Sequence, residues 1–99
     1  MDENVYRQSR LCRLMGNPLA FAVVNALSQS KELTPSEIAH AVGRSVSRVS
    51  HVLASLRLAE VVRYDTDGRQ AHYRLKHPRE TREILKALAT FIDSSSAFQ

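Results

Sequence analysis

Cysteine is nearly missing from this chain of 99 residues, with Cys12 the only one. A single thiol cannot build an intrachain disulfide framework or a cysteine-rich zinc site, and it fits a reducing compartment. Glycine and proline are scarce too, three of each, and no glycine-rich phosphate loop is visible. Long apolar runs are missing: no segment approaches the roughly 20 residues of a membrane span. One stretch imitates a signal peptide, with Arg7, Arg10 and Arg13 ahead of the apolar run Leu19 to Val24. That run is shorter than the roughly 7–15 residues of a signal-peptide core, and Asp2, Glu3 and Pro18 spoil its flanks. No internal repeat occurs, and low complexity is confined to Ser94 to Ser96. These absences predict a soluble, cytoplasmic protein with no membrane partner.

Negative charge is the scarcer sign. Ten Asp and Glu face 14 Lys and Arg, for a net charge of +4. That surplus favours a polyanionic partner, although where the charge sits matters more than its total. A chain of this length has room for one small domain, residues 1–99, with a modest core. Hydrophobic content of 43% and charged content of 24% are globular values.

What is present reads as an ordered series of elements. Val5, Leu11, Cys12, Leu14 and Met15 recur among polar neighbours, predicting an amphipathic helix over about 4–15 that Gly16 ends. Asn17 followed by Pro18 is a helix start. "LAFAVVNAL" is apolar almost all round, so the helix it forms belongs at the centre of the domain. "TPSE", Thr34 to Glu37, is a capping box with proline at the first helical position. It opens a helix that turns Ile38, Ala39 and Val42 inward, and Gly43 makes the turn that follows. Ser45 can cap the next helix, 45–57. After Arg57 the period becomes two: "EVVRY" and "RQAHYRLK" read as strands joined through "DTDG", with Asp67-Gly68 as the hairpin signal. Ala71, Tyr73 and Leu75 face one way, and Gln70, His72, Arg74 and Lys76 the other. Pro78 then opens a last helix, about 78–93, with Ile84, Leu85, Leu88, Phe91 and Ile92 at helical spacing.

The stretch "RSVSRVSHVLASLR", Arg44 to Arg57, carries the functional signal. Val49, Val52, Leu53 and Leu56 form one face at about 100° per residue. Ser47, His51 and Ala54 point the opposite way, flanked by Arg48, Ser50 and Ser55. Four serines are poor interior helix formers, and a merely solvated face is better filled by Glu, Lys and Gln. Short polar side chains suit a helix whose backbone must approach the bases of a major groove about 12 Å wide. Ser47, Ser50 and Ser55 can donate to phosphates or bases, Arg48 can reach guanine or phosphate, and His51 can donate from either nitrogen. Arg44 and Arg57 flank the helix as phosphate clamps, and Arg63, Arg69 and Arg74 lie on the hairpin. The predicted DNA-binding set is Arg44, Ser45, Ser47, Arg48, Ser50, His51, Ser55, Arg57, Arg63 and Arg69.

Helix, helix, helix-turn-helix, two-stranded hairpin and final helix is the order of a winged helix-turn-helix, mainly α with a small β-hairpin. From Leu11 to Leu75 the residues resemble the ArsR family of bacterial and archaeal repressors. "LMGNPLAFAVVNALS" is similar to that family's opening turn and apolar helix. "IAHAVGRSVSRVSHVLASL" resembles its helix-turn-helix, with Ala39, Gly43, Val49, Ser50, His51, Leu53 and Leu56 in place. "VVRYDTDGRQAHYRL" looks like its wing, including Gly68, Arg69, Tyr73 and Leu75. The resemblance implies a homodimeric repressor that binds an inverted-repeat operator in double-stranded DNA. Four departures stand out. Thr34 and Ser36 occupy the positions where the metal-sensing branch has a Cys-x-Cys pair, and the last helix lacks that branch's Asp and His pairs. Arg44 replaces a usual apolar residue after the turn glycine, and Glu60 replaces a usual glycine after the recognition helix, so the turn into the wing is expected to differ in detail. No metal and no cofactor is expected, and the resemblance names no effector.

Both terminal helices carry more apolar surface than so small a core can absorb. Leu11, Leu14, Met15, Ile84, Leu85, Leu88, Phe91 and Ile92 are therefore assigned to a dimer interface, against packing of the last helix on the wing. Blander roles fall to the remaining candidates. His40 and His72 read as surface residues, His77 as part of the last helix's start, and Cys12 as a small apolar residue of the first helix. Ser47, Ser50 and His51 lie together, but nothing orients the histidine or forms an oxyanion hole, so no enzyme is expected. The rival readings are a winged-helix module that binds protein, and a regulator of the MarR type.

Overall fold

Seven elements follow one another along the chain: α1 (Glu3–Met15), α2 (Pro18–Ser28), α3 (Pro35–Val42), α4 (Val46–Leu58), β1 (Val62–Asp67), β2 (Gln70–Leu75) and α5 (Pro78–Ser96). They come from a computed structural model that describes residues 2–96. Met1 and residues 97–99, which the expected domain also spans, lie outside the described residues. The order is that of a winged helix-turn-helix. The first helix starts one residue earlier than its pattern suggested and the last runs three residues further, to Ser96.

Local chemistry sets the helix starts. The Asp2 carboxylate accepts from the amides of Asn4 at 2.7 Å and Val5 at 3.4 Å. Asn17 accepts from the Ala20 amide at 3.0 Å, with Pro18 in the first turn, where a missing N–H costs nothing. At α3 the capping box is complete: the Thr34 amide donates to Glu37 at 2.8 Å, and the Glu37 amide donates to the Thr34 hydroxyl at 3.2 Å. The bond from the Thr34 backbone, then that from its side chain, holds the Glu37 carboxyl below the ordinary carboxylate value. Gly43 follows α3 with φ 69°, the left-handed conformation that glycine adopts without steric cost.

The core is built around α2, which buries Ala20, Val23, Val24 and Leu27 and packs against α1, α3, α4, β2 and α5. Ile38 and Ala39 from α3, Val49, Leu53 and Leu56 from α4, and Val61, Val62 and Leu75 from the hairpin complete it. Each leucine or isoleucine sealed in this way contributes about 1.5–3 kcal/mol relative to an exposed side chain.

The passage from α4 into β1 follows from one turn. The amide of Glu60 donates to the Arg57 carbonyl at 3.0 Å and that of Val61 to the Leu56 carbonyl at 2.9 Å. This pair of bonds is the Schellman ending, whose pivot residue takes a left-handed conformation. The pivot is Glu60, at φ 62°, the only non-glycine described residue with positive φ. The turn has a left-handed pivot although Glu60 stands where glycine is usual, so Glu60 bears the strain. Its carboxylate meets the Lys76 ammonium at 2.6 Å, a contact that pulls the Glu60 carboxyl below its ordinary value and ties the turn to the end of β2.

The hairpin also differs from its pattern. β1 begins at Val62 rather than Glu60 and runs to Asp67, pairing antiparallel from Val62↔Leu75 to Asp67↔Gln70. The two-residue turn is therefore Gly68-Arg69, not Asp67-Gly68, and the positive φ falls on Gly68 at its first position. The register consequence is large. A turn centred on Asp67-Gly68 would set Tyr64 opposite Ala71; the observed turn sets it opposite Tyr73. Leu33, just before the α3 cap, adds a bridge on the other side of β2. Its amide donates to the Tyr73 carbonyl at 2.9 Å and its carbonyl accepts from Tyr73 at 2.8 Å. His72 and Arg74, expected on an open face, are half-covered, because Glu32 lies 3.5 Å from His72 and Asp65 pairs with Arg74.

The two terminal helices are incompletely covered. α1 has no fully buried residue; Leu11, Leu14 and Met15 lean on the core while Cys12 is exposed, so Cys12 is not a packing residue within its own chain. α5 lies against α2 through buried Thr81 and half-buried Leu85, and Arg82 Nε donates to the Ser28 carbonyl at 2.9 Å. Beyond Leu85 the apolar row is open: Ile84 and Leu88 are each 43% exposed, Ile92 60% and Phe91 68%. No single described helix is long and apolar enough to cross a membrane.

The turn at Glu60 gives a direct test. Glu60→Gly and Glu60→Ala both lose the Lys76 contact, but only glycine relieves the left-handed backbone. At equal protein concentration the Gly variant is expected to melt about 4–8 °C above the Ala variant in a circular-dichroism scan. Equal melting temperatures would show that the turn is not strained.

Candidate nucleic-acid interface

α4 presents one sealed face and one open one. Val49, Leu53 and Leu56 have no exposed surface, so the helix cannot rotate about its axis without uncovering the core. The opposite stripe is thereby committed to solvent: Ser47, Arg48, Ser50, His51, Ala54 and Ser55 are all exposed. Ser45 is the N-cap, its hydroxyl accepting from the Arg48 amide at 3.2 Å. Its role is thus first to hold the helix start. No carboxylate occurs between Glu37 and Glu60, so α4 carries no acidic residue to repel an anion. Its first turn adds the partial positive charge of the free amides.

The basic residues expected around this helix are not alike. Arg48 is exposed on the open stripe without a carboxylate partner among the described residues. Arg44 folds over the turn, donating from Nη1 to the Gly43 carbonyl at 3.1 Å. Arg57, in the last turn of α4, lies over the ring of Tyr64 with its guanidinium carbon 5.7 Å from the centroid. On the hairpin, Arg63 and tip residue Arg69 are exposed. Arg74 is spent on Asp65, and Lys76 on Glu60. Arg63 sits opposite Arg74 in the register, so the Asp65 pairing leaves Arg63 as the free cation of that cross-strand pair.

Two features escaped the sequence reading. Tyr64 stacks on Tyr73 at 5.1 Å between centroids and 32° between planes, and burial pushes the Tyr73 hydroxyl above its ordinary pKa. Placing the hairpin turn one residue later would have revealed that pair. The second feature is an open groove of about 1240 Å³ between α1 and the end of α4, lined by Arg7, Arg10, Arg13, Leu14 and Leu58. Leu58 is 80% exposed, and helical periodicity alone does not announce it.

Residues 17–64 match the model of a family described as bacterial regulatory protein, arsR family. The matched segment runs from the α2 cap through both helices of the helix-turn-helix into β1, the part whose geometry is described above. Over this segment the chain is similar to the arsR family of bacterial regulatory proteins. Among curated proteins, it is 29% identical over 87 residues to the HTH-type transcriptional regulator KmtR of Mycobacterium tuberculosis. That alignment covers 88% of this chain and 66% of KmtR, so the chain spans just under two thirds of its relative's length. Among solved structures, it is similar to NolR from Sinorhizobium fredii, with a TM-score of 0.80 and 25% identity over 90% of this chain and 87% of that one. It also resembles the homodimeric winged helix-turn-helix DNA-binding domain of a possible ArsR-family regulator from Mycobacterium bovis. That match has a TM-score of 0.76 and 21% identity over 98% of this chain and 90% of the other.

The two wing arginines should behave differently. Arg63→Ala is expected to weaken DNA binding and lower the slope of log affinity against log salt by about 1. Arg74→Ala should leave the slope unchanged and instead lower the melting temperature, since it frees Asp65. Fluorescence anisotropy across a salt series, beside a thermal scan, checks both. Equal slopes for the two variants would refute the distinction.

Proposed function

We propose that the chain is a cytoplasmic, homodimeric repressor that binds an inverted-repeat operator in double-stranded DNA, with α4 in the major groove and the hairpin on the flanking backbone. The observation that carries this reading is the open stripe of α4: short hydroxyl side chains, one free arginine and no carboxylate on a helix locked in rotation by its buried face. Ser47, Arg48, Ser50, His51 and Ser55 then meet bases and nearby phosphates, while Arg44, Arg57, Arg63 and Arg69 clamp the backbone on either side. Ser45 contributes mainly as the cap that aims Arg48. KmtR is named as a transcriptional regulator and the M. bovis domain as homodimeric and DNA-binding, which supports the same reading here.

The dimer is supported by the uncovered row Ile84, Leu88, Phe91 and Ile92 on α5. Leu85, Leu11, Leu14 and Met15 are shared, half-covered by their own core and half free for a partner. The signal that releases such a repressor is proposed not to be a thiolate-bound metal. Thr34, in one of the positions of the metal-sensing branch's cysteines, has its hydroxyl engaged in the capping box, and a neutral hydroxyl is a poor ligand for soft or borderline metals.

A selection from random duplex DNA with the purified protein tests the reading as a whole. It is expected to return an inverted repeat whose half-sites lie about one or two helical turns apart. Failure to enrich any sequence, with no salt-sensitive binding, would favour a protein-binding module. On the selected duplex, Arg48→Ala should cost about 1–3 kcal/mol and relax preference at one position, whereas Arg69→Ala should weaken all sequences alike. An unchanged affinity for Arg48→Ala would remove α4 from the bases. Assembly has its own check: Leu88→Glu or Phe91→Glu should dissociate the dimer in sedimentation velocity, because each buries a charge in an apolar contact. A wild-type monomer at micromolar concentration would refute the α5 interface.

A further inference from the structure

We infer that Tyr64 is a positioning residue for DNA binding: its ring holds the Arg57 guanidinium at the edge of the interface, ready for a backbone phosphate. The inference rests on the proposed DNA-binding function and adds a residue to it. Arg57 lies over the Tyr64 ring at 5.7 Å. That ring leans on Tyr73 at 5.1 Å, and Tyr73 is fixed in turn by its two hydrogen bonds to Leu33, at 2.9 and 2.8 Å. The chain of contacts therefore runs from the base of the helix-turn-helix through the wing to the last turn of α4.

The chemistry suits the task. A guanidinium held over a ring has its N–H donors uncommitted to any acceptor, so a phosphate can take two of them. The ring quadrupole attracts the cation without neutralising it, unlike the Asp65 carboxylate beside Arg74. A long side chain already held in place also loses less freedom on meeting its ligand. Tyr64 itself is 40% exposed, so its ring stands at the rim of the core, where the held arginine still reaches solvent.

The test uses the full chain, the duplex selected by the wild-type protein and a scrambled duplex of the same composition. Tyr64→Leu keeps apolar contact with Tyr73 but removes the ring face, and is expected to weaken both duplexes alike, by about 2- to 5-fold per half-site. Tyr64→Phe should restore wild-type affinity, because the ring and not the hydroxyl does the holding. In an Arg57→Ala background, Tyr64→Leu should have no further effect, and the salt slope of Tyr64→Leu should fall toward that of Arg57→Ala. Arg57→Lys leaves the hairpin core untouched, so it tests the idea even where Tyr64→Leu fails to fold; it keeps the charge, loses the planar fork over the ring, and should bind about 2- to 5-fold more weakly.

Wild-type affinity for Tyr64→Leu or for Arg57→Lys would overturn the inference. So would a Phe variant as weak as Leu, since the hydroxyl would then be touching DNA directly, or losses that add in the double variant. A wild-type protein with no salt-sensitive DNA binding would instead overturn the function on which the inference rests, and the two failures are distinct.

Discussion

The rest of the structure depends on the sealed face of α2. Val23 and Val24 have no exposed surface and Ala20 and Leu27 about 1% each. That is possible because α1, α3, α4, β2 and α5 all pack against the helix. A Leu→Ala change in such a site typically costs about 2–5 kcal/mol, a large share of the stability of a domain this small. Placing so apolar a helix at the centre consumes the apolar faces of α3, α4 and β2. What remains for α1 and α5 is contact along one edge only. Their open apolar rows follow from having one central helix and too few residues to wrap it.

The same constraint shapes the side proposed to face DNA. With Val49, Leu53 and Leu56 sealed against α2 and α3, only the opposite stripe of α4 is free to vary for function. Ser45 and Gly43 fix where the helix begins, and the Schellman turn at Glu60 fixes where the chain leaves it. Between them the helix is held at both ends, and the wing is held twice more, by the Glu60–Lys76 contact and the Leu33–Tyr73 bridge. Helix and wing thus form one surface that needs little ordering on contact with a ligand.

Much of this was legible in the sequence, for a physical reason. Asn17-Pro18, the box from Thr34 to Glu37, Gly43 and Ser45 act within one turn of themselves, so their meaning does not depend on the rest of the fold. The apolar stripe of α4 was equally local. Glu60 was not legible as a left-handed residue, because that conformation is imposed by α4 ending where β1 must begin, and glycine is the signal usually sought. The hairpin turn falls on Gly68-Arg69 rather than Asp67-Gly68, and local turn chemistry accepts either pair. The longer ladder and the stacking of Tyr64 on Tyr73 decide between them. Arg57 on Tyr64, Arg74 on Asp65 and Leu33 on Tyr73 are contacts between elements, and no spacing along one element encodes them.

Charge shows why contacts between elements matter for function. The net charge of +4 says little until the paired cations are set aside. Arg74, Lys76 and Arg79 lie beside carboxylates, so the hairpin's cationic character narrows to Arg63 and Arg69. Arg48 and Arg57 lie on a helix with no acidic residue and Arg44 just before it, and none of them has a carboxylate partner among the described residues. The acids that could have met them are used elsewhere: Glu37 on the α3 cap, Glu60 on Lys76 and Asp65 on Arg74. The guanidinium groups on and just before α4 thus stay unneutralised, because these acids are held by the α3 cap and by the hairpin's own cations.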